Sequence, residues 1–373
     1  MRWWLLVMVL GCDAGKKPDW AERALDCALT AIDDHGHSTE TAFDSLRVLA
    51  PREVQLRVLR RAREKLKDPT NQVRVAVELA RLGERDAAKA SALDAVDHID
   101  KERSLDEEWI EQTAAFALAW AGDPVKAHQI VGLDRMTELV IAEGAARSGD
   151  VKSGEDALAA AKSYSGELPM TERAQLAADE LLLHGPAAAR AVEANDANPL
   201  DHLYVALTVL RVAVETKHST DEALRDANDV MTMVSAAAAN GLLPHELDYQ
   251  AQLYSMREAL NTYTEELGDY PRAKDLRDNI ARETSDPKVL TQLAFDALAK
   301  KHVEDADRYL AKLAHPPVEL AIARVIASGQ VPAPELEGVD PLDRGVTELF
   351  VWQALAARQV PMDAFATAFC RTR

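Results

Sequence analysis

The sequence predicts an all-α fold, a right-handed α-solenoid of stacked helix pairs. Three observations carry this. Aromatic residues make up only 5% of the chain, alanine recurs in runs such as Ala236 to Ala239, and alternating Val/Ile/Thr stretches bounded by hairpin turns are absent. Asx-Pro pairs recur at Asp68-Pro69, Asp123-Pro124, Asn198-Pro199, Asp286-Pro287 and Asp340-Pro341, each joining an N-cap acceptor to a residue preset for the first helical turn. Glycines 122, 149, 185 and 268 each close an apolar helical run. At 373 residues the chain is long enough for two globular domains or for one array whose core grows by stacking. The recurring junctions favour the array.

Residues 1–11 read as an export signal. Met1-Arg2 supplies a positive charge, Trp3 to Leu10 is an uninterrupted apolar run, and Gly11-Cys12 leads into the polar segment Asp13 to Pro18. That run is too short to cross a bilayer as a helix, which takes about 20 residues. Val9-Leu10-Gly11-Cys12 resembles the lipobox of bacterial lipoproteins, with Leu10 bulkier than is common there. The resemblance spans the first twelve residues and implies cleavage before Cys12, lipid on its thiol, and a place on the periplasmic side of the cell envelope. Asp13 resembles the inner-membrane retention signal of some bacteria, and inner versus outer membrane stays open. Each buried acyl methylene contributes about 0.8 kcal/mol to such an anchor. Residues 12–18 then form a tether.

Beyond Cys12, two cysteines remain, Cys27 and Cys370. In an oxidising compartment they either pair in a disulfide, which requires the first and last helices to meet, or stay as buried thiols.

Residues 19–330 form the helical-repeat array. Ser104 with Glu107 and Ser219 with Glu222 have capping-box spacing. Val289, Leu290, Leu293, Ala294, Ala297 and Leu298 make one helical stripe. Ala114 to Ala121, with Phe116, Leu118 and Trp120 inside it, is apolar almost all round and must be sandwiched between neighbours. The junctions are self-similar: Gly83, Gly122 and Gly268 each stand five residues before an alanine (Ala88, Ala127, Ala273), and Lys301 with Ala306 keeps the spacing without glycine. Counting Gly149 and Gly185 as looser members, and one unmarked junction near 225, the junctions fall 27 to 43 residues apart.

Gly268-Asp269-Tyr270-Pro271-Arg272-Ala273 resembles the turn of a tetratricopeptide repeat, and Gly122-Asp123-Pro124-Val125-Lys126-Ala127 is similar. Asp68-Pro69 followed by Val73-Arg74, Ala76, Leu79 and Leu82-Gly83 looks more like a HEAT repeat. These resemblances imply a binding surface for a protein or an extended peptide. Residues 198–266 hold longer helices with Met231 and Met233. Residues 331–373 read as a Pro-rich hinge and capping helices, since a terminal repeat must cover an otherwise exposed core.

With 62 acidic against 43 basic residues, the net charge of −19 excludes nucleic acid as a partner and limits membrane attachment to the lipid anchor. The densest basic stretch, Arg57 to Lys67, alternates with Val58, Leu59, Ala62 and Leu66 and reads as the solvated face of one helix. No nucleotide loop, zincin helix, Cys-x-x-Cys pair or nucleophile elbow is present. The cluster Asp33-Asp34-His35-Gly36-His37 reads as a solvated turn rather than a metal site. Glu107-Glu108 and Glu265-Glu266 read as exposed carboxylates beside helix ends.

No catalytic residue, metal or cofactor is therefore expected. The expected role is a membrane-anchored interaction scaffold of the cell envelope. A substrate-binding subunit or enzyme of peptidoglycan or other polymer metabolism, signalled by a buried carboxylate in a deep pocket, and a purely structural lipoprotein are the alternatives.

Overall fold

Acidic and amide side chains start six of the described helices, and left-handed residues stop several of them. The computed structural model describes residues 52–99, 107–132, 134–193, 198–240, 247–299 and 302–314, together with Leu29, Phe43 and Arg47. Cys12, Cys27, Cys370, the 33–37 cluster, Ser104, Asp340 and residues 331–373 lie outside the described residues. Of the four Asx-Pro starts that are described, Asp68, Asp123 and Asn198 accept from the backbone N–H of Asn71, Lys126 and Leu200 at 3.0, 3.2 and 3.1 Å, and Asp286-Pro287 stands at the start of a further helix. Asp134, Asp150 and Asp269 cap three further helices in the same way without a proline at the first position. At the far end of a helix, Gly149 has φ 89°; its N–H bonds Ala146 O and the next N–H, of Asp150, bonds Ala145 O. This paired closure satisfies two carbonyls that the helix leaves open, and it needs a residue without a Cβ penalty.

The described residues form fifteen helices. They are α1 (Arg52–Lys65), α2 (Pro69–Arg81), α3 (Arg85–Asp97), α4 (Glu107–Trp120), α5 (Pro124–Ile130), α6 (Arg135–Ser148), α7 (Val151–Ser163) and α8 (Met170–His184). There follow α9 (Pro186–Glu193), α10 (Pro199–Thr216), α11 (Thr220–Ala239), α12 (Leu247–Glu266), α13 (Tyr270–Glu283), α14 (Pro287–Ala299) and α15 (Val303–Leu310). From α2 onward each even-numbered helix packs on the odd-numbered helix that follows it, giving seven pairs. The even-numbered helices also pack on one another in order, from α2 to α14, as one continuous layer. The odd-numbered helices flank that layer, and each leans more lightly on the first helix of the next pair. Helix α1 packs on α2 at the start of the array. The protein is thus an all-α, repeat-like stack of helix pairs.

Burial follows this arrangement. Helix α4, gripped by α2, α3, α5 and α6, buries Ile110, Ala114, Ala115, Ala117, Leu118 and Ala119, as its all-round apolar sequence requires. Helix α5 buries only Pro124 and Ala127. Small residues set the spacing within the layer: a Cβ added at Gly144 of α6 would stand 2.7 Å from Phe116 O and 2.8 Å from Ala119 Cβ of α4. Leu290, Leu293, Ala294, Ala297 and Leu298 of α14 are buried as the stripe predicts. Val58, Leu59 and Ala62 of α1 are buried with Arg57 and Arg60 outside.

Four expectations are corrected. The unmarked junction lies at Lys217–Ser219 rather than near 225; Lys217 and Ser219 take φ 55° and 52° with no glycine to mark the turn, and the N–H of His218 bonds Ala213 O. The longer helices α10, α11 and α12, of 18, 20 and 20 residues, then stretch the next junction spacing beyond the expected range. Ser219 does not act as a capping box, because its own backbone is left-handed and its side chain makes no cap hydrogen bond. Glu265 is not an exposed carboxylate: its side chain is 6% exposed and sits 2.5 Å from Arg277 and 3.0 Å from His302.

Candidate functional site

The face of the even-numbered layer that the odd-numbered helices leave free carries a repeated side-chain pattern. Counting back from the left-handed residue that ends each helix (Gly122, Gly149, Lys217), the thirteenth position is Trp109, Met136 and Tyr204. The sixth is Phe116, Glu143 and Arg211, and the second is Trp120, Arg147 and Glu215. These positions share one stripe of a helix, because 7 and 11 residues are close to two and three turns. Helix α4 therefore offers an aromatic stripe, while α6 and α10 offer Glu-then-Arg and Arg-then-Glu at the same two heights.

The two charged stripes meet. Arg147 donates to Glu143 on its own helix at 2.7 Å and to Glu215 of α10 at 2.6 Å, and Arg211 lies 3.8 Å from Glu215. The Arg147 guanidinium also lies 4.8 Å from the Trp120 ring centre and 6.0 Å from that of Phe116, within cation-π range. The Arg147 side chain is 3% exposed. Burial alone would lower its basicity, but Glu143 and Glu215 outweigh that and hold the guanidinium firmly charged.

Helix α8 contributes the neutral part of the cluster. Gln175 donates from one amide nitrogen to Glu143 Oε2 and, at 3.2 Å, to Asp179 Oδ1. Burial would raise the Glu143 carboxyl, but Arg147, Arg211 and Gln175 outweigh it and hold it below the usual carboxylate range. Burial pushes the Asp179 carboxyl well above that range, and the charge of Glu143 pushes it the same way. Asp179 is fully buried, and its Oδ2 makes no hydrogen bond. Tyr263 of α12 completes this part of the face: burial pushes its phenol up to about 12, while Arg211, Glu215, Glu266 and Arg47 act on it electrostatically.

Toward the other ends of the helices the face is open. Trp109 is 39% exposed, and the Arg74 guanidinium of α2 lies 5.2 Å from its ring centre. Glu108 beside it is exposed at the start of α4, as its sequence position predicts. Arg74 and the exposed Trp109 thus lie at one end of the stripe, and Phe116, Trp120 and the buried Glu143–Arg147 pair lie at the other.

A second polar cluster ties the last described pairs together. Tyr270 stacks on His302 with ring centres 3.7 Å apart and donates to Asp305, and His302 bonds Glu265. A polar cavity of about 660 Å³ lies beside it between α13 and α15, lined by Asp275, Asp278, Arg282, Arg308, Tyr309 and Lys312 among others. Burial would raise the Asp278 carboxyl, but Lys274, Tyr309 and Arg308 outweigh it and hold it low. Among the described residues no group of three His, Cys, Asp or Glu side chains is placed to hold a metal ion, and no helix is long and apolar enough to cross a membrane.

Sequence reading named Phe116 and Trp120 only as part of a sandwiched helix, and identified none of the charged residues of this face as a cluster. Glu143-Arg147 and Arg211-Glu215 look like ordinary i,i+4 surface pairs, and only their equal distance from the helix-ending residue places them on one face. The chain matches no protein-family model and no curated protein.

Proposed function

We propose that the protein is a non-catalytic interaction scaffold whose even-numbered helices present their free face to a protein or an extended peptide. On this reading the array is a right-handed solenoid with tetratricopeptide-like pairs and HEAT-like units near its start, tethered through lipid on Cys12 at the periplasmic side of the envelope. The observation that carries it is Trp109, exposed beside the Arg74 guanidinium at the open end of a face that is charged on α6 and α10. Rigid, half-exposed tryptophans beside arginine supply large contact area at low entropic cost and dominate binding energies. The net charge of −19 favours a basic partner, which it would attract over distance.

The enzymatic alternative calls for a buried carboxylate in a deep pocket. A raised Asp179 beside a lowered Glu143 is the acid and base arrangement such an enzyme would use. Both are buried, however, with the Glu143 side chain 5% exposed and Asp179 fully buried, which favours the scaffold reading over the enzymatic one. Their setting supports a structural role.

The test is a screen of immobilised basic extended peptides against the wild-type chain and Trp109→Ala. Peptides held by the wild type and released by the variant support the reading; retention that ignores Trp109 sinks it. The anchor is tested separately, because Cys12→Ala should leave the membrane fraction, and continued sedimentation with membranes would refute lipidation.

A further inference from the structure

We infer that the ring formed by Glu143, Arg147, Glu215 and Arg211 is a latch that sets the bend of the array, independently of what the face binds. Helices α6 and α10 are not packed neighbours, for α8 lies between them and packs on both. Packed helix axes stand about 8 to 10 Å apart, so a flat layer would separate α6 from α10 by about 16 to 20 Å. Helices with side chains are about 10 to 12 Å across, which leaves a gap that α8 fills. The 2.6 Å bond from Arg147 to Glu215 crosses over α8; two extended side chains span that separation only at its near end, so the bond favours a layer with α8 set back and its neighbours drawn together over its inner edge.

A second long reach lies along the same edge. Arg85, the first residue of α3, directs its Nη2 to Ser148 O at the end of α6, 3.4 Å away. That bond joins the first pair to the third, as Arg147 to Glu215 joins the third to the fifth. Both sit where the first helix of a pair turns into the second, so the bend is concentrated on the turn edge of the array.

The order of charges makes the latch specific. Helix α6 carries Glu143 then Arg147, and α10 carries Arg211 then Glu215, so opposite charges face each other only at one relative height. A slip of one turn would set like charges together. The charge of Arg211 also reaches Glu143 and closes the ring. Glu143 and Arg147 are buried while Glu215 and Arg211 are partly exposed, and ion pairs held by a buried partner are best attested in this role of choosing one arrangement over others. Releasing the ring leaves the pairwise packing of α6 with α8 and of α8 with α10 in place, so the released state is a flatter, still helical array with a wider free face.

The experiment is small-angle X-ray scattering on the full chain, with helicity followed by circular dichroism. Glu215→Lys sets two cations against each other and should raise the radius of gyration without loss of helicity. Glu215→Ala, at a partly exposed position, should shift it the same way by less, and it serves as the reading if the lysine variant unfolds. The fourfold reversal Glu143→Arg, Arg147→Glu, Arg211→Glu, Glu215→Arg rebuilds the ring with opposite signs and should return the radius toward the wild-type value. An unchanged radius in the folded Glu215 variants, or a folded reversal that stays as extended as Glu215→Lys, overturns the latch.

Discussion

Glu143 and Asp179 share the side-chain amide of Gln175, yet their carboxyls are driven in opposite directions. Two guanidinium groups reach Glu143 and hold it ionised, while Asp179 sits one step farther from them, buried beside a carboxylate. The same amide thus joins a carboxyl that is held low to one that is pushed high.

Stability should therefore depend on pH through Asp179. Its folded value lies above the unfolded one, so between about 3.9 and the folded value the unfolded chain binds fewer protons. Stability falls as pH rises through that window and levels off above it. Glu143 works the other way, since its contribution is present above the unfolded value and is lost as pH falls through the lowered folded one. Urea midpoints across this range should fall less steeply for Asp179→Asn than for the wild type. Parallel curves would show that Asp179 is ionised in the fold.

Arg147→Met should destabilise by about 3 to 5 kcal/mol, the usual loss when one partner of a buried pair is removed and the other charge stays. The double variant Glu143→Gln/Arg147→Met should recover much of that, because no charge is left stranded on α6. Equilibrium unfolding in urea measures both, and a single-variant loss under about 1 kcal/mol would place the pair among weak surface bridges.

Gly144→Ala should lower stability by about 1 to 3 kcal/mol, although alanine is the better helix former by about 1 kcal/mol. The added methyl would stand 2.7 Å from Phe116 O, a backbone atom that cannot step aside. A thermal midpoint at or above the wild type would mean that α4 and α6 are farther apart than described.

Lys217→Gly should stabilise by about 0.5 to 1 kcal/mol, since a non-glycine residue pays for the left-handed turn at φ 55°. Lys217 is exposed, so little packing is lost. A lower thermal midpoint would contradict the turn geometry.

Lys217 also shows where sequence reading reaches its limit. Helix boundaries were legible wherever local chemistry writes them, as at Asp68, Asp123 and Asn198 with their prolines, or at Gly149. A lysine in the same backbone conformation carries no local mark, so that junction was placed late. The sandwiching of α4 was legible because apolar residues on every side of a helix demand neighbours on every side. The charged cluster was not, because a glutamate and an arginine four residues apart have the same spacing whether they face water or another helix. Glu265 illustrates the same limit, since its burial comes from Arg277 and His302, 12 and 37 residues away.

The bridge from Arg147 to Glu215 also bears on how the molecule comes apart. A stack in which each unit touches only its neighbours unravels one unit at a time from its ends, with a stability that sums over units and single interfaces. A bond from the third pair to the fifth adds an interaction that skips a unit, so those three pairs gain and lose structure together. The pairs from the third to the fifth should protect their amides from exchange as one block, to which Arg85 ties the first pair more weakly, while the pairs beyond the fifth fray singly. Excising the α8/α9 unit would remove Gln175 and Asp179 and leave the remaining ring of charges without its spacer, so a shortened array should lose more stability at its centre than at its ends.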